Sequence, residues 1–252
     1  MSDSPWLYPV LFVSGLVAGW VDSIAGGGGL LTIPVLLGIG LPPQVALGTN
    51  KFQASFGSFT AAAHYVRKGV VSLSDARNGI IWTLMGSAAG TWSVQQVHPE
   101  FLTLLIPLLL IAIALYMLLV QTPGDQDGAA RMRPSFFYFC AGLALGFYDG
   151  FFGPGVGSFW AFALIAGLGF NLTRATGYTK VMNFTSNIVS FLLFFAGGFV
   201  LLLPGLAMAA GQIIGARVGS GMVVKRGAKF IRPIFIVVVI LTTLKLLSSR
   251  LS

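Results

Sequence analysis

Four charged side chains stand at matching positions in the two halves of this 252-residue chain. Asp22 and Asp149 each lie inside a long apolar run, and Lys51 and Lys180 each lie near the start of a later one. A carboxylate inside a membrane is unfavourable, and such groups often carry protons. The two aspartates are therefore candidates for proton coupling. A second interpretation stays open, because an acid just before a glycine turn can also cap loose N–H groups.

The two lysines each belong to a short polar stretch. These stretches are Gly48-Thr49-Asn50-Lys51 and Gly177-Tyr178-Thr179-Lys180. An ammonium is a compact charge that can attract an anionic substrate. A lysine at headgroup level, in contrast, only extends its charge towards water. Because the lysine recurs in both halves, we favour a role in substrate binding.

Glycine-rich turns follow both aspartates, at Gly26–Gly29 and at Gly153-Pro154-Gly155. In a helix interior a glycine costs about 1 kcal/mol and a proline about 3 kcal/mol, so each run predicts a break between two shorter helices. A helix that begins after such a break presents free N–H groups and a positive dipole end, which together attract anions. Close helix packing is the alternative role. We predict that substrate binds at Gly26, Gly27, Gly28, Gly29, Gly153 and Gly155.

Uncharged polar side chains accompany the lysines in the same apolar segments. Asn183 and Asn187 are four residues apart and therefore share one helix face. Such side chains either line a substrate path or tie neighbouring helices together. The predicted substrate site includes Thr49, Asn50, Gln53, Tyr178, Asn183 and Asn187 beside the two lysines.

The composition indicates which elements must position these groups. The chain is 56% hydrophobic and 9% charged, whereas a soluble domain carries about 25% charged residues. A soluble enzyme and a disordered chain are excluded, and an all-α polytopic membrane protein is predicted. The net charge of +8 comes from basic residues in short loops, as is typical of membrane proteins, so no nucleic-acid partner is expected. Enzyme motifs are absent, and neither enzyme activity nor a cofactor or metal is implied.

The chain repeats its own pattern. Glycines and the four charged residues recur in register, which predicts a first transmembrane repeat at 1–125, a linker at 126–133 and a second repeat at 134–252. Each repeat has four apolar segments, the last three of which suit one spanning helix of about 20 residues. The first segment is too long for one span and contains the glycine run. The segments are about 7–41, 45–66, 77–97 and 101–120, then 134–170, 178–197, 202–224 and 230–248.

Other glycines are spaced four residues apart, as is typical of closely packed helices. These pairs are Gly15 with Gly19, Gly86 with Gly90, and Gly215 with Gly219. We expect them to pack helices together, and they would also permit a homodimer.

The loop charges predict the relative orientation of the repeats. Arg67, Lys68 and Arg77 follow the second segment of the first repeat, whereas the equivalent stretch at 196–206 is uncharged. After the third segment the bias reverses, with no Lys or Arg at 95–100 and four at 225–232. Because basic loops favour the cytoplasmic side, the repeats are predicted to be inverted. Each repeat would then combine three spanning helices with a re-entrant, glycine-broken first segment. The N-terminus lacks a basic region, so we expect the first segment to remain in the mature protein.

The motifs resemble a known family. The stretch from Gly15 to Pro34, together with Ala46-Leu-Gly-Thr-Asn-Lys51 and Gly146-Phe-Tyr-Asp-Gly-Phe-Phe-Gly-Pro154, is similar to the signature of the sulfite exporter TauE/SafE family, most of all its YfcA-like branch. The resemblance covers nearly the whole chain. It implies a multi-spanning inner-membrane transporter with two related halves that moves sulfur-containing anions such as sulfite or sulfonates. The second turn has Gly153-Pro154-Gly155 in place of four glycines, so the two half-sites are not expected to be equivalent.

Together these observations predict a secondary transporter for small, sulfur-containing anions that works by alternating access at a site between the two glycine breaks. An anion channel is the main alternative, and a membrane assembly factor is a weaker one. The expected surroundings are a lipid bilayer, in the inner (plasma) membrane, and a small anionic substrate.

Overall fold

The computed structural model describes residues 5–119 and 126–226 of the chain, and all regular structure in these two stretches is α-helical. The prediction of an all-α protein is therefore confirmed for them. The last predicted segment, 230–248, lies outside the described residues. The helices in chain order are α1 (Leu7–Ala25), α2 (Gly28–Gly38), α3 (Pro43–Arg67), α4 (Leu73–Gln95), α5 (Pro99–Leu119), α6 (Pro134–Phe151), α7 (Val156–Leu168), α8 (Leu172–Ala196) and α9 (Leu202–Arg226).

Both predicted helix breaks are confirmed. The first break consists of Gly26 and Gly27 alone, with φ of 73° and 116°, which are angles that favour glycine over residues with a side chain. This break is shorter than the predicted run of four glycines, because Gly28 and Gly29 already belong to α2. The second break lies between α6 and α7, where Gly153 and Gly155 have φ of 97° and 80°.

The helices on either side of each break fold back on one another. Gly28 of α2 lies against Asp22 and Ala18 of α1, and Leu36 near the end of α2 shares a core cluster with Leu11 near the start of α1. α1 and α2 therefore form a hairpin whose tip is the glycine turn. α6 and α7 form a second hairpin, because Gly167 near the end of α7 lies against Phe137 at the start of α6.

The helices α3 and α8 lie side by side at the centre. Gly48 of α3 lies against Phe194 of α8, and Gly177 of α8 lies against Tyr65 of α3, so the two helices run antiparallel. α3 also packs on α9, α8 packs on α4, and each hairpin packs its shorter helix on one of the two central helices, α2 on α3 and α7 on α8.

Each hairpin packs its longer helix on a helix of the other predicted repeat. Gly15 and Gly19 of α1 lie against Met208 and Gln212 of α9, so these helices from different predicted repeats run parallel. In the same way, Gly86 and Gly90 of α4 lie against Leu143 and Phe147 of α6.

The glycine pairs account for the closeness of these helices. A methyl group on Gly90 would lie 2.1 Å from the Phe147 carbonyl oxygen, and one on Gly215 would lie 2.0 Å from the Leu16 carbonyl oxygen. Backbones approach this closely only where side chains are absent. The prediction that these glycines pack helices together is confirmed, and the packing that they make here lies within the chain.

Two of the described helices are long and apolar enough to cross a membrane, over Leu7–Ile24 and Leu202–Lys225. Shorter apolar helices occupy Gly28–Gly38, Pro99–Ile113 and Val156–Leu168. The helices α3, α4 and α8 have 23 to 25 residues and rise about 35 Å, which exceeds the roughly 30 Å core of a bilayer. Their inward faces carry buried polar side chains, which lower their hydropathy.

Candidate functional site

The two glycine turns touch at their backbones. A methyl group on Gly26 would lie 2.7 Å from Gly157 Cα, and one on Gly157 would lie 2.8 Å from Gly26 Cα. Neither residue therefore has room for a side chain. The contact brings the start of α2 and the start of α7 to one place between the central helices α3 and α8.

Two crossed ion pairs flank this contact. Lys51 Nζ lies 2.5 Å from Asp149 Oδ1, and Lys180 Nζ lies 3.1 Å from Asp22 Oδ2. The lysine side chains are 2% and 0% exposed, respectively. A buried ammonium without a counter-charge is strongly destabilising. The lysine of each predicted repeat thus obtains its counter-charge from the other repeat.

The Asp22 carboxylate makes two kinds of contact at once. Its Oδ1 accepts hydrogen bonds from the N–H groups of Gly27 and Gly28, at 3.2 Å and 3.3 Å. Its Oδ2 accepts from Lys180. The capping interpretation of Asp22 is therefore confirmed, while proton coupling stays a prediction.

The Asp149 carboxylate sits in different surroundings. Its side chain is 3% exposed, against 22% for Asp22, and within the described part of the chain it accepts no backbone N–H from the turn that follows it. That turn is closed instead by Gly153 N–H donating to the Tyr148 carbonyl and by the Tyr148 hydroxyl donating to the Pro154 carbonyl at 2.6 Å. Asp149 thus acts as the counter-charge of Lys51 without capping α7.

Two amides of α8 complete the surroundings of the ion pairs. The Asn187 oxygen accepts from Lys51 at 3.3 Å, and its amide group donates to Ser58 at 3.3 Å. Asn183 is also buried, yet its oxygen has no hydrogen-bond partner among the described residues. A buried acceptor without a partner is unfavourable, so this oxygen would be stabilised by a hydrogen-bond donor brought next to it.

A third amide, Asn50 of α3, uses its oxygen to accept hydrogen bonds from two neighbours. Its oxygen accepts from the Thr32 hydroxyl at 2.5 Å and from the Gln53 amide at 2.8 Å. Gln53 therefore supports Asn50 from behind. The Thr32 hydroxyl also lies 3.1 Å from the Gly28 carbonyl within α2, and its bond to Asn50 ties α2 to α3.

These groups enclose a polar cavity of about 30 Å³, room for one or two water molecules. Among the described residues, no group of three or more His, Cys, Asp or Glu side chains could hold a metal ion. Eleven of the sixteen residues that the sequence predicted for the site line the cavity: Asp22, Gly27, Gly28, Gly29, Asn50, Lys51, Asp149, Gly153, Gly155, Asn183 and Asn187.

The other five predicted residues lie behind the cavity wall or away from it. Gly26 makes the contact between the turns, Lys180 donates to Asp22, and Gln53 donates to Asn50. The Thr49 hydroxyl accepts from the backbone N–H of residue 201 at the start of α9. The Tyr178 hydroxyl accepts from the backbone N–H of residue 72 at the start of α4, which connects two helices outside the cavity.

Four cavity residues were not predicted from the sequence: Ala54, Val156, Gly157 and Gln212. Gln212 of α9 is the polar one, and its amide oxygen lies against Gly57 of α3. A glutamine within the uncharged stretch 182–216 was the signal that could have identified it. Gly157 could have been found as the glycine next after Gly155 in the second turn.

Comparison with known proteins supports a single family. The model of the family described as Sulfite exporter TauE/SafE matches residues 11–246. The chain belongs to the sulfite exporter TauE/SafE family. The expectation drawn from the motifs is therefore confirmed.

Several members of this family are close relatives of the chain. A protein of Escherichia coli K12 described as "Probable membrane transporter protein YfcA" is 48% identical over 97% of this chain and 91% of its own length. A "Probable membrane transporter protein" of Haemophilus influenzae is 45% identical over 95% of this chain and 94% of its own length. No solved structure gives a significant match. The protein is thus a member of a membrane transporter family, and its apolar helices agree with a location in the membrane.

Proposed function

We propose that this TauE/SafE family member is a secondary transporter that carries a small, sulfur-containing anion through the cavity between its two glycine turns. It would act as a multi-pass protein of the inner membrane, by alternating access. The observation that carries the proposal is the pair of crossed ion pairs, because they place two buried ammonium groups beside a polar cavity deep among apolar helices.

The arrangement of helices supports an inverted repeat. Equivalent central helices α3 and α8 run antiparallel, and α1 packs parallel to α9 as α6 packs parallel to α4. Both glycine turns form the tips of hairpins that return towards the side from which they came. Transporters with inverted repeats bind their substrates where discontinuous helices of the two repeats meet. In this chain such a site would lie at the contact between Gly26 and Gly157.

The chemistry of the cavity wall supports an anionic substrate. Lys51 on the wall and Lys180 behind it supply positive charge, and the starts of α2 and α7 add the positive ends of two helix dipoles. The family description, sulfite exporter, supports a sulfur oxyanion such as sulfite or a sulfonate as the cargo.

The ion pairs between the repeats support a carrier. Each joins the hairpin of one predicted repeat to the central helix of the other, so rocking of one repeat against the other in an alternating-access cycle would act on both pairs. In such a cycle the crossed ion pairs would part and re-form, because each joins one repeat to the other.

Uptake by proteoliposomes tests the proposal. Purified protein in vesicles should take up labelled sulfite and methanesulfonate with saturation, and Lys51→Ala or Lys180→Ala should reduce uptake at least tenfold. Lys68→Ala is the matched control, because Lys68 is exposed after the end of α3 and should leave uptake unchanged. Absence of uptake for every sulfur anion would contradict the substrate class.

Planar-bilayer recordings separate a carrier from the alternative, an anion channel. A carrier that opens its two sides in turn should give no resolvable unitary current under a sulfite gradient. Discrete single-channel steps would contradict alternating access.

A further inference from the structure

The carboxylate of Asp22 occupies the place of a bound anion. One of its oxygens accepts from the N–H groups of Gly27 and Gly28 at the start of α2, and the other accepts from Lys180. Two N–H groups and an ammonium are also the donors that a sulfonate, a sulfite or a free carboxylate would use. Asp22 lines the cavity, so a ligand in the cavity would meet this set of donors with its resident carboxylate in place.

The charges around the cavity already balance. Lys51 and Lys180 are matched by Asp22 and Asp149, and α2 and α7 contain no charged residue. α3 adds Tyr65, a neutral phenol whose hydroxyl donates to the Ser23 carbonyl. α9 contributes Gln212 to the cavity wall, and this side chain has no charge. An added anion would therefore leave a buried net negative charge, which is strongly disfavoured away from bulk water.

Arg217 of α9 does not alter this balance. Its guanidinium group contacts the His64 ring of α3, and neither residue lines the cavity.

We propose that an anion binds only together with one proton, which adds to Asp22, and that the anion then takes the place of the Asp22 carboxylate on Gly27, Gly28 and Lys180. The proton comes from the solution and forms one O–H bond on the Asp22 carboxyl group. A monoanion and its proton thus enter with no net charge. This inference rests on the proposed function and names its coupling.

The structure favours Asp22 over Asp149 as the group that takes the proton. Asp22 is the more exposed of the two to the cavity, at 22% against 3%. Only Asp22 holds donors that an anion could take over, because Asp149 caps no N–H group among the described residues. The Asn183 oxygen, buried on the cavity wall without a partner, offers an acceptor for the new O–H group.

Binding of methanesulfonate to the purified wild-type protein is the first test, because this probe stays a monoanion across the accessible pH range. Where Asp22 is ionised in the free protein, coupling to one proton requires the dissociation constant to rise tenfold for each pH unit. Titration calorimetry in buffers of different ionisation enthalpy should count about one proton taken up per anion bound. Binding without proton uptake would overturn the inference and leave the proposed function standing. Absence of binding at every pH would overturn both.

Variants locate the proton. Asp22→Asn should bind methanesulfonate with a dissociation constant that does not change with pH and with no proton uptake. Asp75→Asn, on the exposed first turn of α4, is the matched control and should keep the tenfold dependence. An unchanged pH dependence in Asp22→Asn, or its loss in Asp75→Asn, would overturn the assignment to Asp22. The double variant Asp22→Asn with Lys180→Met keeps the charge balance and so should fold. It should nevertheless bind methanesulfonate at least tenfold more weakly.

Discussion

The two ion pairs use the same residue types at positions that the predicted repeat makes equivalent, yet their surroundings differ. Asp22 is followed by consecutive glycines, whose N–H groups reach its carboxylate. Asp149 is followed by a turn that contains Pro154, which has no N–H group to donate, and Tyr148 closes that turn. The two aspartates therefore have different roles, because the turns that follow them differ. The first pair is a capped, partly exposed site, and the second is a buried counter-charge.

Breaking each pair by removing its lysine should have the largest effect on stability. Lys51→Met should destabilise the protein by about 3–5 kcal/mol, because it leaves the carboxylate of Asp149 buried without a partner. Lys180→Met should cost less, because Asp22 keeps two N–H donors and contact with the cavity. Thermal unfolding of both variants in detergent, monitored by tryptophan fluorescence, gives the comparison.

Double variants provide the control for this ranking. Lys51→Met with Asp149→Asn removes the uncompensated charge and should recover most of the stability lost in Lys51→Met. Equal destabilisation by the two single lysine variants would contradict the difference between the pairs.

Replacing the glycines at the starts of α2 and α7 should have the next largest effects on stability, and the two replacements should differ. Gly157→Ala places a methyl group 2.8 Å from the backbone of Gly26 and should cost about 1–3 kcal/mol through overpacking. Gly29→Ala meets only the ring of Pro154, at 3.2 Å, and should cost less than 1 kcal/mol. Chemical or thermal unfolding of each variant measures the difference.

Gly38→Ala serves as the control, because nothing lies within 4 Å of a methyl group there. It should leave stability unchanged or raise it by about 0.5–1 kcal/mol, since alanine favours helix more than glycine does. If Gly157→Ala were as stable as Gly38→Ala, the turns would not be in contact.

The asparagines should show the smallest and most selective effects. Asn50→Leu removes an acceptor of two hydrogen bonds and should cost about 1 kcal/mol for each of them. Asn183→Leu removes an oxygen without a partner and should leave stability within about 0.5 kcal/mol of the wild type. Sulfite uptake should nevertheless fall in Asn183→Leu, because this residue lines the cavity. A large loss of stability in Asn183→Leu would show that its amide is a structural tie.

The local features of the fold could be read from the sequence. Both helix breaks lie at the predicted glycine runs, and the glycine pairs pack helices as expected, since helix propensity and side-chain size act locally. The extent of the first break was not readable. Gly28 and Gly29 join α2 because Asp22 caps its first turn, and the contact with Gly157 limits the break to Gly26 and Gly27.

The candidate site was only partly readable. Charged residues inside apolar segments identified Asp22, Lys51, Asp149 and Lys180, because a buried charge is unfavourable without a reason. Tyr178 was predicted for the site because it shares the polar stretch of Lys180, but it lies away from the cavity. Spacing alone could not assign the helix face on which it lies. Gln212 was overlooked because it is an isolated glutamine in an apolar segment, and only the packing of α9 on α1 and α3 brings it to the cavity.

The sequence by itself determined the family, the helical class, the two glycine breaks and the four charges that must find partners inside an apolar protein. Only the tertiary structure decided which charge pairs with which. Lys51 meets Asp149 and Lys180 meets Asp22, across 98 and 158 residues of chain, whereas pairing within each half was equally compatible with the repeat. The reason is geometric. The hairpins of both halves place their turns against each other between antiparallel central helices, so each ammonium lies nearest to the carboxylate of the opposite half.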